Sequence, residues 1–311
     1  MNNKQYLMLS SEINQLEMLI DEMPEYRVFE KKALEARLKK LEEKLSTLNE
    51  EAMSQKAVIT FKGEPVFGTY GILADFASKA SGSFSDAITA IAASLEDNLA
   101  YMGRIPHKKE NQLIITNIAR GSFGFEFEVP RNGTDTLMPE LTSVEKALDA
   151  MQGLLNSTLL DDEEQITEIV EEIHPRAVSK VVEFLDTLKS NHAWFAYEFG
   201  ERKVFFKNIS DINKAISILD QDNIKEDEET YSGEFQGILP DARTFEFKAQ
   251  DGETIKGKIG SEIKDPKILA KEYLFKPIRV KFKSTQVGQA KPKYMLKDIT
   301  SIEFIEHSDN P

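Results

Sequence analysis

The sequence predicts an α+β protein in three parts: an N-terminal antiparallel coiled-coil hairpin over residues 1–54, an α+β unit over 57–219, and a small C-terminal β-barrel, OB-like or SH3-like, over 231–305. An acidic linker at 220–230 separates the last two. Three observations carry this reading. Leucines and isoleucines first recur at spacings of three and four, as along a helical seam. From Ala57, strand-like and helix-like stretches follow in runs without strict βαβ alternation. After the acidic run, five short alternating segments crowd into about 75 residues, enough for a small barrel.

In the N-terminal part, Leu9, Ile13, Leu16, Ile20 and Met23 form one seam and Leu34, Leu38, Leu41, Leu45 and Leu48 a second. The flanking charges of EARLKKLEEKL suit the exposed positions beside such a seam. Pro24 would break a helix interior, so two helices joined between Asp21 and Tyr26 are expected to fold back on each other. Two seams seldom satisfy each other completely. Leu9, Ile13, Leu16, Ile20, Leu34, Leu38, Leu41 and Leu45 are therefore the expected oligomerisation residues, set against a self-contained hairpin packed on its own body.

The α+β unit opens with AVITF and PVFGTY around Lys62-Gly63-Glu64, a hairpin signal. Ile72 to Ala80 reads as a short helix interrupted at Gly82-Ser83, with Ser83 and Asp86 resembling a capping box for a second helix. The stretch Gln112–Pro130, QLIITNIARGSFGFEFEVP, is the densest apolar and β-branched sequence and is expected to supply the central strand, or two strands. Gly121 and Gly124 fall where a bulge or a close backbone approach needs no side chain. Thr142 and Glu145 form another capping box, DDEEQITEIVEEI has an acidic first turn that suits the helix dipole, and Pro175 opens the next helix. Trp194–Phe199 and Val204–Lys207 read as a second hairpin, and a helix from Ser210 to Leu219 closes the unit.

Barrel strands are read at 231–239, 243–249, 254–260, 277–283 and 293–299, with Asp251-Gly252 a hairpin turn and DPKILAKEY a short helix between the third and fourth. That order is the one an OB-like Greek-key barrel needs, and an SH3-like barrel fits nearly as well.

Composition bounds the function. The chain has 311 residues, a formal charge of −14, 41% apolar residues and no cysteine. Disulfides, thiolate catalysis and cysteine-held zinc are excluded, and a reducing cytoplasm is the expected compartment. No signal peptide and no apolar run near 18 residues is present, so no membrane contact is expected.

The charge is unevenly divided. Lys264–Lys297 holds ten basic and two acidic residues, leaving 29 basic against 51 acidic residues elsewhere. Arg279, Lys281 and Lys283 alternate along one strand, with Lys291 and Lys293 following. In an OB fold these would converge with Arg243, Phe245 and Phe247 on the ligand cleft, where cations and stacking rings suit single-stranded nucleic acid. The plainer reading pairs the lysines with the acidic body or with another acidic subunit and buries the phenylalanines in the barrel core.

Catalytic patterns are few. His107, His174, His192 and His307 lack HxH or HExxH spacing, and no phosphate loop, dinucleotide fingerprint or nucleophile elbow occurs, so no cofactor or metal is expected. Glu126 and Glu128 share one face of their strand. They are the basis of the alternative, a metal-dependent hydrolase or nuclease with its site near Gly121–Glu128. The order helical hairpin, FKGEPVFGTYG, RGSFGFEFE resembles a bacterial protein type with no assigned function, covering about the first 130 residues. That resemblance implies a bacterial cytosolic setting and permits a role in an anti-phage or other mobile-element system. The expected function is a non-enzymatic, oligomeric interaction protein whose basic barrel contacts an anionic partner, either nucleic acid or an acidic protein surface.

Overall fold

The alternation AVITFK places Ala57, Ile59 and Phe61 on the buried face of strand β1 (Ala57–Gly63) and Val58, Thr60 and Lys62 on the other. This strand organises the central unit of the structure, a computed structural model that describes residues 11–13, 15–20, 23, 27–49, 56–96, 99–119, 123–129 and 142–305. The expected turn at Asp21–Tyr26, Leu9, the side chain of Leu45, and Arg120-Gly121 lie outside the described residues.

β1 pairs on one side with β5 (Phe123–Glu128) and on the other with β6 (Ala193–Phe199); β4 (Ile114–Ile118) and β7 (Arg202–Phe205) complete an antiparallel sheet of order β4-β5-β1-β6-β7. The expectation that Gln112–Pro130 holds the central strand is corrected. That stretch forms two strands, one of them an edge, because β1 takes a hairpin on each flank. Its glycine does serve close approach: a Cβ on Gly124 would lie 1.9 Å from the Ile59 carbonyl oxygen. The expected AVITF/PVFGTY hairpin is also corrected, since β2 (Val66–Phe67) pairs with β3 (Gly71–Ile72) rather than with β1.

Helix α1 (Val28–Asn49) precedes the sheet, and α2 (Ala74–Leu95) runs unbroken through Gly82-Ser83. The Ser83 hydroxyl donates back to the Lys79 carbonyl at 2.9 Å and so caps nothing. The continuous buried face of Phe76, Ala80, Phe84, Ala87, Ile88 and Ile91 outweighs the one glycine. α3 (Ser143–Leu160) begins at the expected Thr142–Glu145 capping box, α4 (Glu163–Glu172) is capped by Asp162, α5 (Pro175–Ser190) starts on its proline, and α6 (Ile209–Leu219) is capped by Asn208. These helices share one core with the inward faces of β1, β5 and β6, so one face of the sheet is covered and the other is free of them.

Residues 220–230, read from their charge as a linker, are instead a short turn at Gln221–Asn223 followed by the start of β8 (Ile224–Leu239). The acidic run is ordered because a basic strand lies beside it. β11 (Ile278–Val287) pairs antiparallel with β8 from Ile278↔Gly233 to Val287↔Ile224, and this brings Lys281 to Glu228 at 3.2 Å and Lys283 to Glu226 at 2.6 Å.

With β9 (Thr244–Ala249), β10 (Thr254–Ile259) and β12 (Lys293–Leu296), these strands close a five-stranded barrel in the order β8-β9-β10-β12-β11. Every pair is antiparallel except β10–β12. A short helix, α7 (Lys267–Glu272), joins the third and fourth strands, and β13 (Ile302–Phe304) adds to β11. Phe235, Phe245, Phe247 and Phe282 fill the barrel with rings in mutual edge or stacked contact.

In the N-terminal part, residues 11–13 and 15–20 are helical and Arg37 of α1 is ion-paired with Glu12. Ile13 and Leu16 are buried, while Ile20, Leu34, Leu38 and Leu41 are half-buried.

Candidate functional site

The structure separates the expected barrel residues into four groups. Phe245 and Phe247 are buried, and Phe245 stacks on Phe282 with centroids 4.8 Å apart, so neither ring offers a face to a ligand. The expected stacking platform is therefore corrected: the period-two alternation of β9 points these rings inward. Arg243, at positive φ in the turn before β9, donates to the carbonyls of Ile259, Gly260 and Ile263 and ties the end of β10 to the start of β9.

Lys281, Lys283 and Lys293 do share the outer face of β11 and β12, but each meets a carboxylate of the same chain. Arg279 and Lys291 are exposed and have no ion-pair partner among the described residues.

Lys281 and Lys283 are met by Glu228 and Glu226 of β8, and α4 occupies the part of the face around Lys293 and Lys258. Lys293 lies 2.8 Å from Glu168, and Lys258 of β10 is ion-paired with Glu172 and lies 3.7 Å from Glu171. The Val287 amide donates to the Thr167 hydroxyl at 3.2 Å, and the Gln289 amide donates to Glu163 at 2.9 Å. Glu168, Glu171 and Glu172 stand at i, i+3 and i+4, so they project from one side of the helix.

Burial pushes the Glu171 carboxyl up to about 7 despite the neighbouring Lys258, and one of its buried oxygens has no hydrogen-bond partner. For Lys258 the balance is reversed: burial lowers it, yet Glu172, Glu171 and Glu168 together hold the ammonium above its ordinary value. Lys258 and the carboxylates of α4 are the residues that sequence reasoning missed. The signal was present in DDEEQITEIVEEI, whose acidic face complements the basic strands in charge.

Glu126 and Glu128 sit around one cation. Lys56 lies 3.1 Å from Glu128 and 3.7 Å from Glu126, and Thr116 donates to Glu128 at 3.0 Å. The two carboxylates therefore already share a counter-charge, and only Glu126 reaches a cleft. Among the described residues, no group of three or more histidines and carboxylates is placed to hold a metal ion.

That cleft, of about 820 Å³, lies on the face of the five-stranded sheet opposite α2 to α6. Val58, Thr60 and Ala196 form its floor, and Trp194 and Phe205 stand as apolar walls. Glu17, from the N-terminal helical residues, also lines it. No helix among the described residues is long and apolar enough to cross a membrane. No protein-family model, curated protein or solved structure matches the chain.

Proposed function

We propose that this chain is a non-enzymatic interaction protein whose barrel is an OB-like module that contacts an acidic protein surface. The strand order β8-β9-β10-β12-β11, with a helix between the third and fourth strands, supports OB-like over SH3-like. The observation that carries the functional reading is the occupant of the cationic face: an acidic helix of the same chain, held by Lys258 and Lys293. A face that accepts such a helix in cis has the charge for one in trans, and Arg279 and Lys291 are the cations left for it.

Half-buried Leu34, Leu38 and Leu41 on α1 support pairing of subunits through the N-terminal helices, which would strengthen several weak barrel contacts at once. The cysteine-free composition supports a reducing cytosolic setting, and the resemblance over the first 130 residues is what supports a bacterial one.

The test is fluorescence anisotropy of the full chain against labelled polyglutamate, and against single-stranded DNA and RNA of matched length, across a salt series. Polyglutamate should bind in a salt-sensitive way, and more weakly to an Arg279→Gln/Lys291→Gln double variant. Absence of polyglutamate binding at low salt, or binding of nucleic acid alone, overturns the acidic-protein reading. Light scattering on Leu38→Glu tests the pairing; a mass equal to that of wild type removes it.

A further inference from the structure

We propose that the cleft on the face of the sheet opposite α2 to α6 binds a short peptide with free termini, its terminal carboxylate between Lys62 and Lys207 and its terminal ammonium toward Glu126 and Glu198. The site is independent of the barrel and its partner.

The strand register fixes the arrangement. Val58 stands opposite Glu126 on one side and Glu198 on the other, so the two carboxylates share one row of the sheet. Two residues further along β1, Thr60 stands opposite Ala196, which in turn faces Phe205. Two residues further again, Lys62 stands opposite Trp194, and Lys207 follows Phe205 by two positions to reach that same level. Acids thus occupy one end of the cleft, ammonium groups and an indole the other, with Thr60, Ala196 and the Phe205 ring between.

At the rise of a β-strand, the first and last rows are about 13 Å apart. An extended peptide of about four residues spans that distance. A ligand with one charge at each end fits, whereas a polyanion would meet the carboxylate row.

The two ends differ in strength. Glu198 is taken by Lys203 at 2.7 Å and Glu126 is approached by Lys56, although Glu17 adds a further carboxylate to the lining. Lys62 and Lys207 have no ion-pair partner among the described residues. Capture of the peptide's C-terminal carboxylate therefore dominates, as charge-assisted bonds to an unclaimed ammonium do. Phe205, 47% exposed, and Trp194 supply the apolar contact for the side chains between.

Trp194 is the sole tryptophan of the chain, so its emission reports on this cleft directly. The experiment titrates the full chain with Ala-Ala-Ala-Phe carrying free termini, with its C-amidated and N-acetylated forms, and with adenosine monophosphate. The free peptide should shift the emission saturably at millimolar concentration or below, the amidated form should bind about tenfold more weakly, and acetylation should cost less. Lys62→Gln/Lys207→Gln should bring the free peptide to the affinity of the amidated one while leaving the amidated one unmoved. No saturable response to the free peptide, equal affinity for free and amidated forms, or a response to the nucleotide alone would each overturn the proposal.

Discussion

Lys293 on β12 lies 2.8 Å from Glu168 on α4, so a lysine from the most basic stretch of the chain points at the chain's own acidic helix. The ion pair belongs to a seam that joins the barrel to the α+β unit. From the basic stretch Lys264–Lys297, Lys293 is ion-paired across it, whereas Lys281 and Lys283 pair with Glu228 and Glu226 of β8 inside the barrel.

The members of that seam differ in burial, and their removal should differ accordingly. Lys293→Gln, at a pair that is substantially exposed, is expected to cost about 0.5 kcal/mol, an effect that fades at high salt. Lys258→Gln leaves Glu171 buried without its cation and should cost about 1 to 2 kcal/mol. Urea denaturation of both variants at two salt concentrations checks the order.

Glu171 makes part of the stability pH-dependent. Its carboxyl is raised from 4.5 to about 7, so the fold favours the protonated form. That contribution is full below pH 4.5 and is lost as pH rises through about 7. Glu171→Gln cannot ionise. It should therefore gain stability relative to wild type on passing from pH 4.5 to above 7, as measured by paired denaturation curves; a difference that stays flat across that window refutes the assignment.

Phe247 tests whether the rings of β9 are core or platform. Phe247→Ala should destabilise the protein by about 3 to 5 kcal/mol, seen as loss of barrel structure in thermal melts. A variant as stable as wild type that loses only ligand binding would restore the platform reading.

Gly124→Ala should be among the most damaging substitutions in the sheet, at about 3 kcal/mol or more, because the added methyl meets the β1 backbone rather than a side chain able to turn aside. Soluble expression together with the denaturation midpoint is the measure.

Much of the helical framework was legible from local chemistry. Thr142 with Glu145, and Pro175 at a helix start, act through atoms within one turn, and the Asp251-Gly252 turn joins strands that pair with each other. The misreadings came from partners distant in sequence. Residues 220–230 looked like a solvated linker only until β11 was placed beside them, with Lys281 opposite Thr230 and Lys283 opposite Glu228. β1 looked like half of a hairpin because its true neighbours, β5 and β6, begin 60 or more residues later in the chain. The candidate site followed the same rule. The cations of β11 and β12 were visible as a stripe, whereas their engagement, of Lys281 and Lys283 by β8 and of Lys293 by α4, depends on strand pairing and on the docking of two units.

The extra length of β8 has a practical consequence for anyone dividing this protein. A cut before Tyr231 would leave Lys281 to Val287 of β11 without the β8 partners they have in the whole chain, and would strip Val287 from the helical core in which it is fully buried. An isolated barrel made this way would carry a bare strand edge ending in apolar and β-branched residues, the kind of edge that recruits other strands. Self-association of such a fragment would therefore report the cut rather than the native assembly, and a boundary before Asp220 would keep the ribbon whole.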